Sequence, residues 1–337
     1  MQSHVPNTKK IAELLGLSRA TVSNVINGKG RVSKETRRRV EKQLAESGYV
    51  RDQGAVALKT GKSRLVGVLV TDISNPFYGN VISDLESFLS TAGYSTILGQ
   101  SYDDKTRQAK LLSELVGTGV AGLIVNPSKG STAQDFDIPT KRQIPTVFYV
   151  RGVAGSSLPL VSLDDKAAGA LLAEHLLAEG YRRIAVIGGY RGTSTFQYRL
   201  EGVEGALKKI GTKPAAVCTG PVSEEFGFVE MRRLLEEGPH LDAVIGHNDL
   251  VAFGCLRAVR DAGRIPGIEI GLAGFDNLTF GRVCDPPLTT VDVRHRKIGV
   301  ETGRLLLSQI ANWQQELPVS KLEPALVVRG STSKKSN

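Results

Sequence analysis

Tryptophan occurs once in this chain, methionine twice and cysteine three times. Cys218, Cys255 and Cys284 are far apart and odd in number, no CxxC pair exists, and the five histidines are scattered. Neither a disulfide framework nor a structural zinc fits that spacing, and the thiols read as buried apolar groups. Also missing is any run near the roughly 18 apolar residues that a membrane span needs. The opening MQSHVPNTKK lacks the apolar centre of a secretory signal. The expectation is a cytoplasmic protein with no membrane partner. What remains is a soluble globular composition, 41% hydrophobic and 23% charged, in 337 residues. That length suits two or three compact domains.

The net charge of +9 is unevenly placed. Residues 1–60 hold twelve lysines and arginines against five acids, which is +7, and the other 277 residues carry only +2. So strong a concentration in a small module points to a polyanion.

That module has three helical patterns. Ile11, Leu14 and Leu15 recur at helical spacing, then Val22, Val25 and Ile26, then Val40 and Leu44. Gly16 separates the first two helices, Ser18 is placed to cap the second, Asn27-Gly28 to close it, and Ser33 to cap the third. This is a helix-turn-helix layout, whose second helix enters the DNA major groove. Its polar face holds Arg19, Ala20, Thr21, Ser23 and Asn24. Arg19 suits guanine, Asn24 adenine and Ala20 a thymine methyl. Ser18, Thr21 and Ser23 suit phosphates. Arg37, Arg38 and Lys42 add electrostatic attraction. The alternative is a three-helix scaffold that binds protein, which explains neither the polar face nor the charge.

From residue 65, strand and helix patterns alternate. LVGVLV (65–70), STILG (95–99), AGLIV (121–125) and TVFYV (146–150) read as buried strands, with helices near 77–92 and 105–117. The pattern restarts with RIAVIG (183–188), AAVC (215–218), DAVIG (242–246) and EIGLAGF (269–275), with helices near 196–210, 223–237 and 249–262. The fold class is thus an all-α headpiece followed by two doubly wound α/β lobes. A ligand is expected where the carboxyl ends of both sheets face each other. An oxidoreductase reading draws on IAVIGGYRGTS (184–194). Its glycines are spaced G-G-x-x-G rather than G-x-G-x-x-G, and the expected acidic residue is not clearly placed. No nucleophile elbow, metal cluster or carboxylate pair stands out, so no catalytic residue, metal or cofactor is assigned.

The first fifty residues resemble the DNA-binding headpiece of the lactose-repressor (LacI) family of bacterial transcription regulators. The family's V-S-x-x-T-V-S-x-V-x-N pattern stands here as Leu17-Ser18-Arg19-Ala20-Thr21-Val22-Ser23-Asn24-Val25-Ile26-Asn27. TDISNPFYG (71–79), YRLEG (198–202), HNDLVAFG (247–254), GFDN (274–277) and PPLTTV (286–291) continue the match. The resemblance implies a headpiece at 1–50, a hinge helix and linker at 51–63, and a periplasmic-binding-protein-like core at 64–337. Lobe 1 would hold about 64–163 and 293–322, and lobe 2 about 164–292 and 323–330. A helix near 296–313 would return to lobe 1, with Trp313 packing at its end.

The resemblance also places effector contacts at Phe77, Arg199, Asn248 and Asp276. Chemically, Asp276 accepts, Asn248 does both and Arg199 offers a fork of donors, while Phe77 and Tyr78 can wall a sugar ring. Arg151 and Phe228 are further candidates. The competing roles are caps and loop ties for the polar residues and core for the aromatics. Asp249 reads as the N-cap of the helix that follows it rather than a ligand contact, and Asp164 and Asp165 as caps or hinge ties.

The resemblance makes 51–59 a hinge helix, with Leu58 as a minor-groove wedge and Ala55 at the contact between two copies. Arg51-Asp52 replaces the family's usual Pro-Asn, and Gly54 weakens the helix. A plain linker is the alternative. The chain ends VVRGSTSKKSN, without a heptad helix, so a homodimer is expected. The reading is a repressor of a near-palindromic operator, gated by a small ligand, a sugar or sugar derivative first: one Asp, one Asn and one Arg suit a sugar, a polyol or a sugar acid, and the resembled family also has members that read purines, nucleosides or a partner phosphoprotein. Its rival, a transport solute-binding protein, has no use for the headpiece.

Overall fold

A computed structural model describes residues 7–50, 63–313 and 320–334. It divides at residue 61 into two compact units. In the first, helices Thr8–Leu15, Arg19–Ile26 and Lys34–Glu46 enclose Ile11, Ala12, Val22, Val25 and Val40. Each helix starts on a side-chain cap. Asn7, Ser18 and Ser33 accept from the backbone N–H groups of Lys10 (2.9 Å), Thr21 (3.0 Å) and Thr36 (3.1 Å). Gly16, with φ +64°, makes the tight turn into the second helix. Leu14 departs from its pattern and is 64% exposed, because three short helices enclose too little volume for every apolar position.

The second unit holds two six-stranded sheets. Its strands are β1 (Leu65–Val70), β2 (Ser95–Gln100), β3 (Gly122–Val125), β4 (Thr146–Tyr149), β5 (Leu160–Leu163), β6 (Ile184–Ile187), β7 (Ala216–Cys218), β8 (Ala243–Gly246), β9 (Gly271–Phe275), β10 (Thr289–Asp292), β11 (Ser320–Leu322) and β12 (Ala325–Val327). One sheet runs β11-β5-β4-β3-β1-β2 and the other β12-β10-β9-β8-β6-β7. All pairings are parallel except β10 with β12. The second order repeats the first with each index of β1 to β5 raised by five, so one α/β plan is used twice. The chain passes between sheets after β5, after β10 and between β11 and β12.

Parallel strands are buried on both faces, which is why β1, β3 and β4 read as continuous apolar runs. In lobe 1 Val66, Val68 and Val70 pack with Leu85, Leu89, Ile298 and Leu305. On the other side Leu69, Leu123, Val125 and Phe148 meet Leu112, Leu115 and Phe136. Fully burying one such side chain contributes about 1.5–3 kcal/mol. Sheet 1 ends on β2, an edge strand, so STILG is not a buried strand: Ile97 and Leu98 are 38% and 45% exposed.

Helix Asp165–Ala178 follows β5 and packs on helix Ser194–Lys208. Its sequence, DKAAGALLAEHLLA, lacks a clean polar face, which hid it from periodicity. The two helices approach so closely that a Cβ on Gly169 would strike the Arg199 carbonyl, and one on Gly202 the Lys166 carbonyl. Helix His295–Ala311 follows β10 and packs on helix Pro76–Thr91. It stops two residues short of Trp313, which sits half-buried in the turn beyond.

Candidate functional site

The headpiece presents one polar surface. Ser18, Arg19 and Ala20 are exposed at the start of the second helix, and Asn24 in its last turn. Thr21 and Ser23, assigned to the same face, are half-buried. Their hydroxyls are engaged, Thr21 with the Ser18 hydroxyl at 2.9 Å and Ser23 with the Asn27 amide at 3.2 Å. A Cβ at Gly30 would lie 3.0 Å from the Asn24 amide nitrogen, so that glycine leaves the room Asn24 uses. The hinge residues Ala55 and Leu58, with Arg51, Asp52 and Gly54, lie outside the described residues.

In the core, the carboxyl ends of the strands meet around a cavity of about 250 Å³. Lobe 1 supplies Phe77 and Tyr78 from the start of helix Pro76–Thr91, Tyr102 and Asp103 after β2, and Arg151 after β4. Lobe 2 supplies Tyr190 after β6, Arg199 from the helix beyond, His247 and Asn248 after β8, and Asp276 after β9. Two buried ion pairs fix the arginines. Arg151 donates to Asp103 at 2.6 Å and to the Pro127 carbonyl at 3.3 Å. Arg199 donates to Asp165 at 2.8 Å and to the His247 carbonyl at 2.6 Å, and its guanidinium lies over the Phe275 ring. The glycine crossing of the two helices is what brings Arg199 to Asp165.

Local backbone geometry aims these groups. Tyr102, Asp103, Val150 and Asp276 all line the cavity with positive φ, at +53°, +59°, +65° and +105°. Non-glycine residues adopt such angles at a cost of about 1–3 kcal/mol and concentrate at functional sites. Asp249 is fully buried and accepts from the Thr290 hydroxyl (2.6 Å) and the Leu278 N–H (2.8 Å). It anchors the loop that carries Asp276. Asp249 is therefore not the cap of helix Asp249–Asp261. Asn248 is, its Oδ1 accepting from Val251 N–H at 3.1 Å.

The buried charges are strongly perturbed. Burial pushes the Asp276 carboxyl up to about 7, against the pull of Arg199 and the nearby Asn248 amide. Burial, with Arg199 and Arg151 nearby, holds His247 well below the ordinary imidazole range. Burial also raises Asp165, although Arg199 opposes it. Asn248 is 2% exposed, and its Nδ2 has no partner within hydrogen-bonding geometry. A buried donor left unpaired costs about 1–3 kcal/mol, and this one faces the cavity beside the Asp276 carboxyl.

The structure brings Phe77, Tyr78, Arg151, Arg199, Asn248 and Asp276 to one cavity. Cap and wall are not exclusive roles here, since Asn248 is both, and Tyr78 also accepts from Asn126 at 2.8 Å within the core. Phe228 is a correction. It is absent from the lining and lies on helix Glu224–Glu237, half-buried beneath the Arg257 guanidinium. Sequence reasoning missed Tyr102, Asp103, Tyr190 and His247. The last adjoins Asn248, and the other three follow strands, so strand ends were the available signal. Asp164 caps helix Asp165–Ala178, as expected, by accepting from Ala167 N–H at 3.0 Å.

Comparison with known proteins agrees with this arrangement. Residues 8–52 match the family described as bacterial regulatory proteins, lacI family. Residues 63–325 match periplasmic binding proteins and sugar binding domain of LacI family. The chain is 29% identical to the transcriptional repressor CytR of Escherichia coli (strain K12), over 98% of this chain and 97% of that protein. It is 32% identical to the ribose operon repressor of Halalkalibacterium halodurans, over 96% of each. The crystal structure of the lac repressor dimer bound to operator and the anti-inducer ONPF superposes with a TM-score of 0.86 at 26% identity, covering 97% of this chain and 99% of that one. Two lobes of one plan behind a helix-turn-helix, matched along nearly their whole length, leave one assignment: this chain belongs to the LacI family of bacterial regulatory proteins.

Proposed function

We propose that the chain is a cytoplasmic transcriptional repressor, not an enzyme, that binds a near-palindromic operator as a homodimer under the control of a sugar-like ligand. The observation that carries this is the cavity between two sheet ends, where strained backbone and buried ion pairs hold polar groups toward a half-open cleft. Its 250 Å³ lies below the usual range of about 300–1,000 Å³ for small-molecule sites, which suits a single ring. Phe77, Tyr78, Arg151, Arg199, Asn248 and Asp276 are the proposed ligand contacts. Ser18, Arg19, Ala20 and Asn24 are the proposed DNA contacts, with Thr21 and Ser23 supporting the face from behind. The dimer reading is supported by exposed apolar side chains in each lobe, Ile97 and Leu98 in one, Phe280 and Val283 in the other. Among the described residues no helix is long and apolar enough to cross a membrane.

Three crossings let the lobes close on a ligand, and a change in closure shifts operator affinity by as much as the ligand prefers one state. The test is selection of DNA from a random pool, then gel shifts of the selected site with candidate sugars. A palindromic consensus whose affinity changes with one sugar is the expected outcome. Failure to enrich any palindrome above non-specific binding at physiological salt sinks the reading.

A further inference from the structure

The charge balance of the cavity selects among sugar-like ligands. Its lining includes the arginines Arg151 and Arg199, and the carboxylates Asp72, Asp103 and Asp276. Both arginines are already neutralised at short range, Arg151 by Asp103 at 2.6 Å and Arg199 by Asp165, which stands behind it, at 2.8 Å. Asp276 is 5% exposed and forms no ion pair among the described residues. Asp72 lines the cavity equally unpaired and accepts only from Ser74. Lys129 does not correct the balance. It is outside the lining, and its ammonium lies 4.2 Å from the Tyr190 ring centre. His247 is held neutral. The cavity therefore has compensated positive charge and surplus negative charge, and this remains true with Asp276 protonated.

The two unspent polar groups have complementary chemistry. Asp276 offers carboxyl oxygens, and the buried Asn248 Nδ2, close to that carboxyl, makes no protein hydrogen bond of good geometry. A hydroxyl can donate to the first and accept from the second. A carboxylate or phosphate satisfies Asn248 but meets Asp72, and Asp276 wherever that carboxyl is ionised, as like charges, while both arginines are already paired with carboxylates.

We infer that the ligand is an uncharged polyhydroxyl ring, and that the cavity excludes sugar acids and sugar phosphates. The inference rests on the ligand-gated reading above and narrows it.

The experiment is isothermal titration of the full chain with probes paired by charge: glucose with glucuronate and glucose 6-phosphate, ribose with ribose 5-phosphate. Wherever a pair binds, the neutral member binds about 100-fold tighter, the discrimination one unpaired like charge gives at close range in a partly desolvated site. Asp103→Asn leaves Arg151 uncompensated and raises the affinity of the anionic member about tenfold, with circular dichroism checking the fold. An anion that binds wild-type protein as tightly as its neutral partner overturns the inference while leaving ligand gating intact. If no probe of either kind binds, ligand gating by sugars fails, and the charge argument falls with it.

Discussion

The headpiece and the cavity solve recognition in opposite ways. The DNA-reading groups are neighbours in sequence, spanning residues 18–24 on one helix, and the foremost of them are solvent-exposed. The cavity groups are drawn from strand ends and helix starts between residues 71 and 276; half are buried, and the arginines among them are held by partners. A duplex is read by a surface that must stay open, so helix geometry alone can present it. A small ring must be surrounded, so its contacts must converge from distant segments. The first is set by local structure and the second by tertiary packing. Each prediction below tests one side of that contrast.

The largest effect is expected at Asp276. Its folded-state pKa is raised from 3.8 to about 7, so between those values the native state holds a proton that the unfolded chain has released. Stability contributed by this group is present below about pH 4 and is lost as pH rises through 7. A shift of this size corresponds to roughly 4 kcal/mol, taking about 1.4 kcal/mol per unit. Asp276→Asn removes the ionisation and should melt higher than wild type at pH 8 but alongside it at pH 4. Groups facing Asp276, namely Arg199, Asp165, Asn248 and Asp249, remain in both proteins, so the difference between the two melting curves isolates the one carboxyl. A gap that does not change with pH rejects the assignment. A sugar donating to the carboxylate should also bind more tightly as pH rises through 7.

Next is Gly169→Ala, which tests whether the cavity depends on packing behind it. The new methyl meets the Arg199 carbonyl, which is backbone and cannot turn aside. The expected loss is about 3 kcal/mol, the upper end for overpacking, equivalent to a fall of roughly 6–10 °C in Tm. Arg199 moves from Asp165, so the ligand-induced rise in Tm should shrink as well. Gly205→Ala is the control, because a Cβ there meets nothing within 4 Å. Equal behaviour of the two variants counts against the close-packed crossing.

What was legible in the sequence follows the same division. The Ser18 and Ser33 caps of the headpiece and its recognition helix were legible because each depends on residues within four positions, whereas the Asn7 cap of the first helix went unread. Its miss, Leu14, is a failure to foresee which positions three packed helices leave exposed. In the core, strands with buried parallel neighbours announced themselves as apolar runs. The edge strand β2 was misjudged because composition does not say which strand is last. The helix after β5 was hidden by apolar residues on all sides, since it packs against Ser194–Lys208 and β12. Candidate cavity residues were found where a motif carried them, while Asp103 escaped, because its role is a pairing with Arg151, 48 positions away. Phe228 fails for the converse reason. Nothing local distinguishes an aromatic that faces a cavity from one that lies under an arginine.

Arg19→Ala tests the exposed side. Loss of a bidentate base contact should cost about 2 kcal/mol on the selected operator and relax preference at one base pair. Lys42 is exposed and only loosely paired with Glu46 at 3.7 Å. Lys42→Ala should weaken all sequences alike and reduce the salt slope by about 1. If Arg19→Ala weakens binding without changing the consensus, Arg19 contacts phosphate instead.

The smallest expected effect is that of Ser18→Ala, and it probes whether the headpiece is as locally determined as its sequence suggests. Ser18 Oγ accepts from Thr21 N–H at 3.0 Å and sits 2.9 Å from the Thr21 hydroxyl. Alanine leaves that N–H without its side-chain acceptor at the first turn, a change worth about 1 kcal/mol. Amide exchange across residues 8–46 should then quicken about fivefold, while exchange in β1, β3 and β4 stays unchanged. A cap that acts only within its own module must leave the core strands untouched. Faster exchange in those strands would mean that the two units share stability, and the contrast between a locally built reader and a tertiary cavity would have to be given up.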